Sequence, residues 1–344
     1  MIRSALFLCA SVLMAVCSAC APANKADRFD RVVCNSPASG SMFIKNLYYL
    51  PTGYTPYPGL ATPDPNGNAT LVNEDPYLSS LCLAYNAAPS KFKAQLDGLK
   101  ATYIDKTCTA GARCSSTSWG FRPPGTQDTY IALSAGLWDG DVPTYSQFEY
   151  LVCSNLLGTT CPIPAGGTAP NPGIQPNADT QTMTIVAVLA HELGHLTWVV
   201  GNMEFYSCPG QGKFSDISWN KTDLLQRYHQ FGIQSGNTPK AGKQKNDIIT
   251  DIASGVQNTI DKDLDQIYKD DNWASLFATV DMDEDFVETY KLRVLTTLTS
   301  NPLKALVVTV PQYGPHDIVD AMQNGNKDLH KKSQWITTCF PSLP

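Results

Sequence analysis

The run Ala190-His191-Glu192-Leu193-Gly194-His195 carries two imidazoles four residues apart, with a carboxylate beside the first. On a helix, residues at that spacing share one face and lie about 6 Å apart along the axis. Both rings can therefore reach one Zn²⁺ at about 2.0–2.1 Å each. Glu192 would project toward the open side of such an ion, where a carboxylate can take a proton from water. The flanking residues favour a helix. Ile185, Val186, Val188, Leu189, Leu193, Leu196, Val199 and Val200 are apolar almost all round. This predicts a buried helix from about Thr180 to Val200, capped by Asp179 or Thr180 and stopped at Gly201-Asn202. Two imidazoles and a carboxylate are costly to bury there without compensation, and a metal would supply it. The plainer alternative is a pair of core histidines satisfied by a paired glutamate.

A zinc site of this kind takes a third protein ligand. Metzincins place a Gly and then a third His just downstream, but those positions here are Trp198 and Gly201, which excludes that class. The best remaining source is Asp283-Glu284-Asp285-Phe286-Val287-Glu288-Thr289-Tyr290, on a helix predicted from about Met282 to Leu298. Glu284 and Glu288 are four apart and share a face. The first can ligate zinc, while the second can accept from the outer nitrogen of a ligating His and fix its tautomer. Against this, Asp281-x-x-Glu284 also fits a capping box, which would turn the carboxylate toward backbone N–H groups. Asp216, Asp223, His229 and Asp251 are the other candidates. His229, His316 and His330 read more simply as surface or packing residues.

His191 to His195 together with Glu284-Asp285-Phe286-Val287-Glu288 resembles the gluzincin-type HExxH metallopeptidases, and within them the lethal-factor-like group with an ExFxE/EDFxE motif on a second helix. The resemblance covers two short stretches. It implies a zincin fold, Glu284 as third ligand and Glu288 as the carboxylate behind a ligating histidine. Two features depart from the pattern. The interval from His195 to Glu284 is long and implies a helical insertion. Phe277 stands seven residues before Glu284, where that group carries a Tyr. The group facing a developing oxyanion must then lie elsewhere, with Tyr268, Tyr290, Tyr313, His229 and His316 as options.

The elements that must hold these residues are legible to different degrees. Ser90 to Tyr103 has helical apolar spacing through Phe92, Leu96 and Leu99. Thr129 to Leu133 reads as a short strand and as the candidate edge along which a substrate would lie. Helices are also expected over 223–231 and 246–268, and a strand over 306–310. No internal repeat is present. The reading is α+β: a zincin-like metallopeptidase fold with a mixed sheet packed on a buried active-site helix and a mostly helical second lobe. Residues 1–20 are expected to be an export signal, 21–75 an irregular Pro/Gly-rich segment, 76–310 the zincin-like catalytic domain, and 311–344 a disulfide-anchored C-terminal tail.

Arg3 followed by the apolar run Ala5 to Val16 and small residues at Ser18, Ala19, Ala21 and Ala23 has the form of an export signal. That run is too short to span a bilayer, which takes about 20 apolar residues. No transmembrane span is expected in the mature chain. Cys20 after Ser18-Ala19 also fits a lipoprotein signal and a lipid anchor, although the third position before the cleavage site would then be Cys17. Eight of the 11 cysteines lie beyond this region. An even number in an exported chain favours disulfides. Short loops make Cys108–Cys114 and Cys153–Cys161 the preferred pairs. The mature chain has no C-x-x-C, which argues against a cysteine-ligated zinc finger. With a net charge of −6 and no dense Lys/Arg cluster, nucleic acid is excluded as a partner.

These observations imply an exported monomer, secreted, periplasmic or at the cell surface. It would hydrolyse peptide bonds in a protein or peptide substrate with Zn²⁺ as cofactor and Glu192 as general base. The competing reading is a non-catalytic exported or lipid-anchored binding protein with a degenerate zinc site, which Phe277 favours. A zinc amidase acting on cell-wall peptides would use the same residues.

Overall fold

The computed structural model describes residues 41–51, 70–72, 76–106, 118–123, 125–138, 144–166, 173–220, 238–239 and 257–344. The expected export signal, Cys20, the Cys108–Cys114 pair, the predicted helix over 223–231, and Asp223, His229 and Asp251 lie outside the described residues.

In chain order, the elements that position the site are β1 (Leu47–Tyr49), α1 (Tyr77–Ala87), α2 (Ser90–Asp97), β2 (Ala101–Asp105), β3 (Trp119–Phe121), β4 (Tyr130–Ser134), α3 (Tyr145–Leu157), β5 (Ile174–Pro176), α4 (Gln181–Val200), α5 (Gln257–Lys269), α6 (Met282–Thr296), β6 (Leu306–Thr309), β7 (Pro315–Asp317), α7 (Ile318–Asn324) and α8 (Asp328–Cys339). One sheet runs β1-β2-β4-β3; the first three strands are parallel and β3 joins antiparallel at the edge. A second, antiparallel sheet runs β5-β6-β7. Side chains alternate across a strand, so Ile104, Ile131 and Leu133 enter the main core with Ile185, Val186 and Leu189 of α4. Tyr103, Tyr130 and Ala132 are buried on the opposite face. Burial on both faces is why these strands lack a polar alternation.

Several sequence expectations need correction. The helix expected over 90–103 ends at Asp97, and Ala101–Asp105 is a fully buried strand. Gly98 interrupts the helical run, and a strand buried on both faces has no period of two to betray it. The strand near Thr129 to Leu133 spans Tyr130–Ser134 and lies inside the sheet; the edge strands among the described residues are β1 and β3. The segment 21–75 is not wholly irregular, because Leu47–Tyr49 pairs with β2, so the sheet begins before residue 76. The final 34 residues are not an irregular tail: they contain β7, α7 and α8, and Cys339 of α8 is bonded to Cys208. Among its described residues, the C-terminal half is mostly helical, with a three-stranded and a two-stranded sheet.

Two helices carry the candidate site. Thr180 caps α4 by accepting from Met183 N–H. Asp179 instead ties the start of α3 to this point, accepting from Ser146 N–H and Ser146 Oγ–H. By length and hydropathy α4 could cross a bilayer. It lies in the interior of the fold instead, with Ile185, Ala187, Leu189 and Ala190 at zero exposure. Its main partner is α6, which Asp281 caps by accepting from the N–H groups of Asp283 and Glu284. On its far side α6 is clamped by a fully buried ion pair, Lys332 Nζ to Asp285 Oδ1 at 2.8 Å, and Trp219 Nε1–H donates to Asp285 Oδ2.

The two helices meet at Gly194. A Cβ there would lie 3.1 Å from Val287 Cα and 3.2 Å from both Val287 methyl carbons. Those contacts are tighter than a side chain normally accepts, so the crossing distance is set by glycine. Gly194→Val should wedge α4 from α6 and lower stability by about 1–3 kcal/mol through overpacking. Zinc uptake should fall with it; unchanged thermal unfolding and unchanged metal content would show that the crossing tolerates a side chain.

Candidate metal centre

The α4–α6 crossing brings His191, His195 and Glu284 together, with a ligand-capable atom from each inside a 4.8 Å cluster. His191 Nε2 and His195 Nε2 are 3.2 Å apart. Glu284 Oε2 is 3.7 Å from the first, and Glu284 Oε1 is 3.5 Å from the second. Tetrahedral ligands at about 2.0–2.1 Å from one zinc would sit roughly 3.3–3.4 Å from each other. The two imidazole nitrogens stand near that value, and the two Glu284 oxygens, one facing each ring, lie slightly beyond it. Glu284 Oε2 is buried without a hydrogen-bond partner among the described residues. A buried carboxylate with an orphan oxygen, set against two imidazole nitrogens, fits a cation between them. Only half of the capping-box alternative forms: Asp281 Oδ1 accepts from Glu284 N–H, while the Glu284 carboxylate makes no return bond to Asp281 N–H and leaves Oε2 without a partner.

The outer nitrogens of both rings are engaged. His191 Nδ1–H donates to Glu288 Oε1 at 2.9 Å, and His195 Nδ1–H donates to Asp283 Oδ2 at 3.2 Å. A carboxylate only accepts, so in the neutral rings each proton sits on Nδ1 and each Nε2 presents its lone pair to the cluster. Sequence reasoning placed Glu288 behind one histidine and missed Asp283. Its position directly before the candidate ligand, on the first turn of the same helix, was the available signal. Glu288 Oε2 accepts in turn from Ser275 Oγ–H at 2.5 Å and from Lys291 Nζ at 2.7 Å.

Acidic neighbours dominate the electrostatics. Burial alone would push the His191 imidazole down, but Glu288 and Glu284 outweigh it and hold it above the ordinary histidine value. Burial is likewise overridden at His195, where Asp283 and Glu284 raise it well above that value. Burial pushes the Glu284 carboxyl up to about 7, despite the pull of His195 and His191 in the other direction. Glu192 is also pushed up by burial, against both histidines. The centre therefore gathers protons, and a divalent cation would compete for the same lone pairs.

Glu192 Oε2 accepts from the backbone N–H of Gly120 at 2.6 Å. Gly120 is the middle residue of edge strand β3, and a Cβ there would fall 2.7 Å from the Glu192 carbonyl oxygen. Glycine thus lets β3 lie directly on α4 and fix the carboxylate beside the histidines. This residue was invisible in the sequence, because nothing local marks a glycine that a distant helix requires.

Phe277 stacks on the His191 ring, with centroids 5.4 Å apart and planes 7° apart. It braces the imidazole and offers no hydroxyl. It also forms one wall of a small pocket of about 30 Å³, lined in part by Leu156, Ile174, Leu306 and Val308. Of the other oxyanion options, Tyr290 donates to Gln95 and His316 pairs with Asp265. Tyr268 is buried, and Tyr313 is exposed. Asp216, a rival third ligand, accepts from Lys213 N–H. His330 Nδ1–H donates to the Met322 carbonyl. Of the expected cysteine pairs, Cys153–Cys161 is bonded. Cys208–Cys339 was not singled out from the sequence, because its partners are 131 residues apart.

Comparison with protein-family models, with curated proteins and with solved structures finds no match for this chain.

Two measurements test the centre. Glu284→Ala should sharply reduce zinc content, whereas Glu288→Ala should weaken zinc affinity by about 10–100-fold. Equal zinc content in Glu284→Ala and the unaltered protein would remove Glu284 from the ligand set. The second concerns pH. His195 and Glu284 both bind protons more tightly folded than unfolded, so their contribution to metal-free stability is complete below their unfolded values. It is lost as pH rises through the folded ones, with Glu284 at about 7. Zinc needs the deprotonated ligands. The gap in unfolding temperature between zinc-loaded and chelator-treated protein should widen as pH rises through about 7. A gap that narrows instead contradicts the assignment.

Proposed function

We propose that this chain is an exported zinc-dependent metallopeptidase of zincin-like architecture. The observation that carries the reading is the convergence of His191 Nε2, His195 Nε2 and the orphaned Glu284 carboxylate within 4.8 Å of one another, with Glu192 buried alongside. Bound there, zinc would acidify water and polarise a carbonyl oxygen. The chain's own residues supply the rest. Glu288 and Asp283 hold the two imidazoles in the tautomer that leaves Nε2 unprotonated. Glu192, steadied by Gly120 N–H and raised above the ordinary carboxyl value by burial, takes a proton from the attacking water and delivers it to the leaving nitrogen. Strand β3 lies beside this carboxylate and, among the described residues, pairs on one side only, so an extended peptide could add along its other side. Disulfides Cys153–Cys161 and Cys208–Cys339 agree with an exported, oxidising location.

The second reading, a non-catalytic exported zinc protein, is favoured by one feature: the aromatic ring on His191 is Phe277, which carries no hydroxyl. One substitution separates the two. Glu192→Gln should keep zinc and lose about 10²–10⁴-fold in hydrolysis of an unstructured protein substrate. Undiminished hydrolysis would remove Glu192 as the base. No chelator-sensitive hydrolysis in the unaltered protein would favour the binding protein.

A further inference from the structure

Three elements converge on one carboxylate behind the candidate centre. Glu288 of α6 has 1% of its side chain exposed, and its two oxygens have different partners. Oε1 accepts from His191 Nδ1–H at 2.9 Å. Oε2 takes Ser275 Oγ–H, from the loop before α6, and Lys291 Nζ, one turn along α6. Lys291 is itself 4% exposed and reaches a second carboxylate, Glu149 Oε1 on α3, at 2.8 Å. Three helices and a loop are thus linked by a chain running Glu149–Lys291–Glu288–His191, with Ser275 joining at Glu288.

We propose that Lys291, seated by Glu149 and assisted by Ser275, is a positioning residue that orients the Glu288 carboxylate toward His191. A carboxylate with both oxygens free could rotate about its terminal bond and meet the imidazole in several ways. Occupying Oε2 from two sides removes that freedom and turns Oε1 to the ring. Fixing the acceptor fixes the imidazole plane and keeps its proton on Nδ1, so that Nε2 faces His195 and Glu284. Phe277, packed flat on the same ring, limits its tilt. A lysine buried among carboxylates is an expensive way to fill space, since an apolar side chain would avoid the desolvation penalty. The metal side of this inference rests on the proposed zinc site; the orientation of His191 does not.

The test uses the full-length protein in metal-free and zinc-titrated forms. Lys291→Met leaves Glu149 and Glu288 buried together, so it is paired with Glu149→Gln/Lys291→Met, which removes one of the two charges. Lys291→Arg is the rescue, and Ser275→Ala is the milder perturbation. In metal-free protein, at a pH high enough for the His191 ring to be neutral, ¹⁵N-detected imidazole spectra should show its one proton on Nδ1 in the unaltered chain and Lys291→Arg. They should show a mixture of tautomers in the double variant. Zinc affinity by chelator competition should fall about 10–100-fold in the double variant, and less in Ser275→Ala. A folded double variant with an unchanged His191 tautomer overturns the proposal. An unaltered chain that binds no zinc but shows the tautomer change overturns the metal assignment and leaves the positioning role standing.

Discussion

Ligands on two helices can serve one ion only if the helix axes come close and stay in register. Here both conditions are met at the contact between Gly194 and Val287, where a Cβ would force the partner helix to give way. Gly194 lies within the stretch that holds His191 and His195, and Val287 lies between Glu284 and Glu288. The residues of closest approach are therefore flanked on both helices by those that could do chemistry. A wider crossing would separate the imidazoles from the acids without disturbing either helix internally. The same device recurs at Gly120, where the missing side chain lets an edge strand touch α4 and bond Glu192.

Around this contact, α6 divides its polar residues by face. Glu284 and Glu288 point toward α4, and Asp283 reaches His195 from the first turn. Asp285 turns away into a fully buried pair with Lys332 of α8. That pair and the disulfide from Cys208 to Cys339 fasten the C-terminal helix behind the one that carries the acids. Breaking such a buried pair by removing one partner usually costs about 3–5 kcal/mol, so the clamp is suited to holding α6 in place. Four consecutive-looking acids thus have distinct tasks: Asp281 caps, Asp283 orients, Glu284 faces the imidazoles and Asp285 anchors.

The parts legible in the sequence were those set by local periodicity. The apolar helix around His191 and the helix around Glu288 follow from spacing within a few turns, and their observed spans differ from the expected ones by at most two residues. Strand β2 was misread because a strand buried on both faces looks like the continuation of the preceding helix. Strand β1 and the terminal helices were missed where Pro, Gly and short amphipathic turns mask regular structure. The edge of the sheet could not be inferred at all, because edge position depends on which strands pair.

Residue type and spacing by themselves determined that His191, Glu192 and His195 share a helical face and that Glu284 and Glu288 share another, since a helix fixes its own geometry. The meeting of those faces was decided only by tertiary packing: by Gly194 against Val287, by the partition of four acids around α6, and by Phe277 lying flat on an imidazole. Those depend on contacts between residues about 50 to 100 positions apart, and no local pattern encodes such distances.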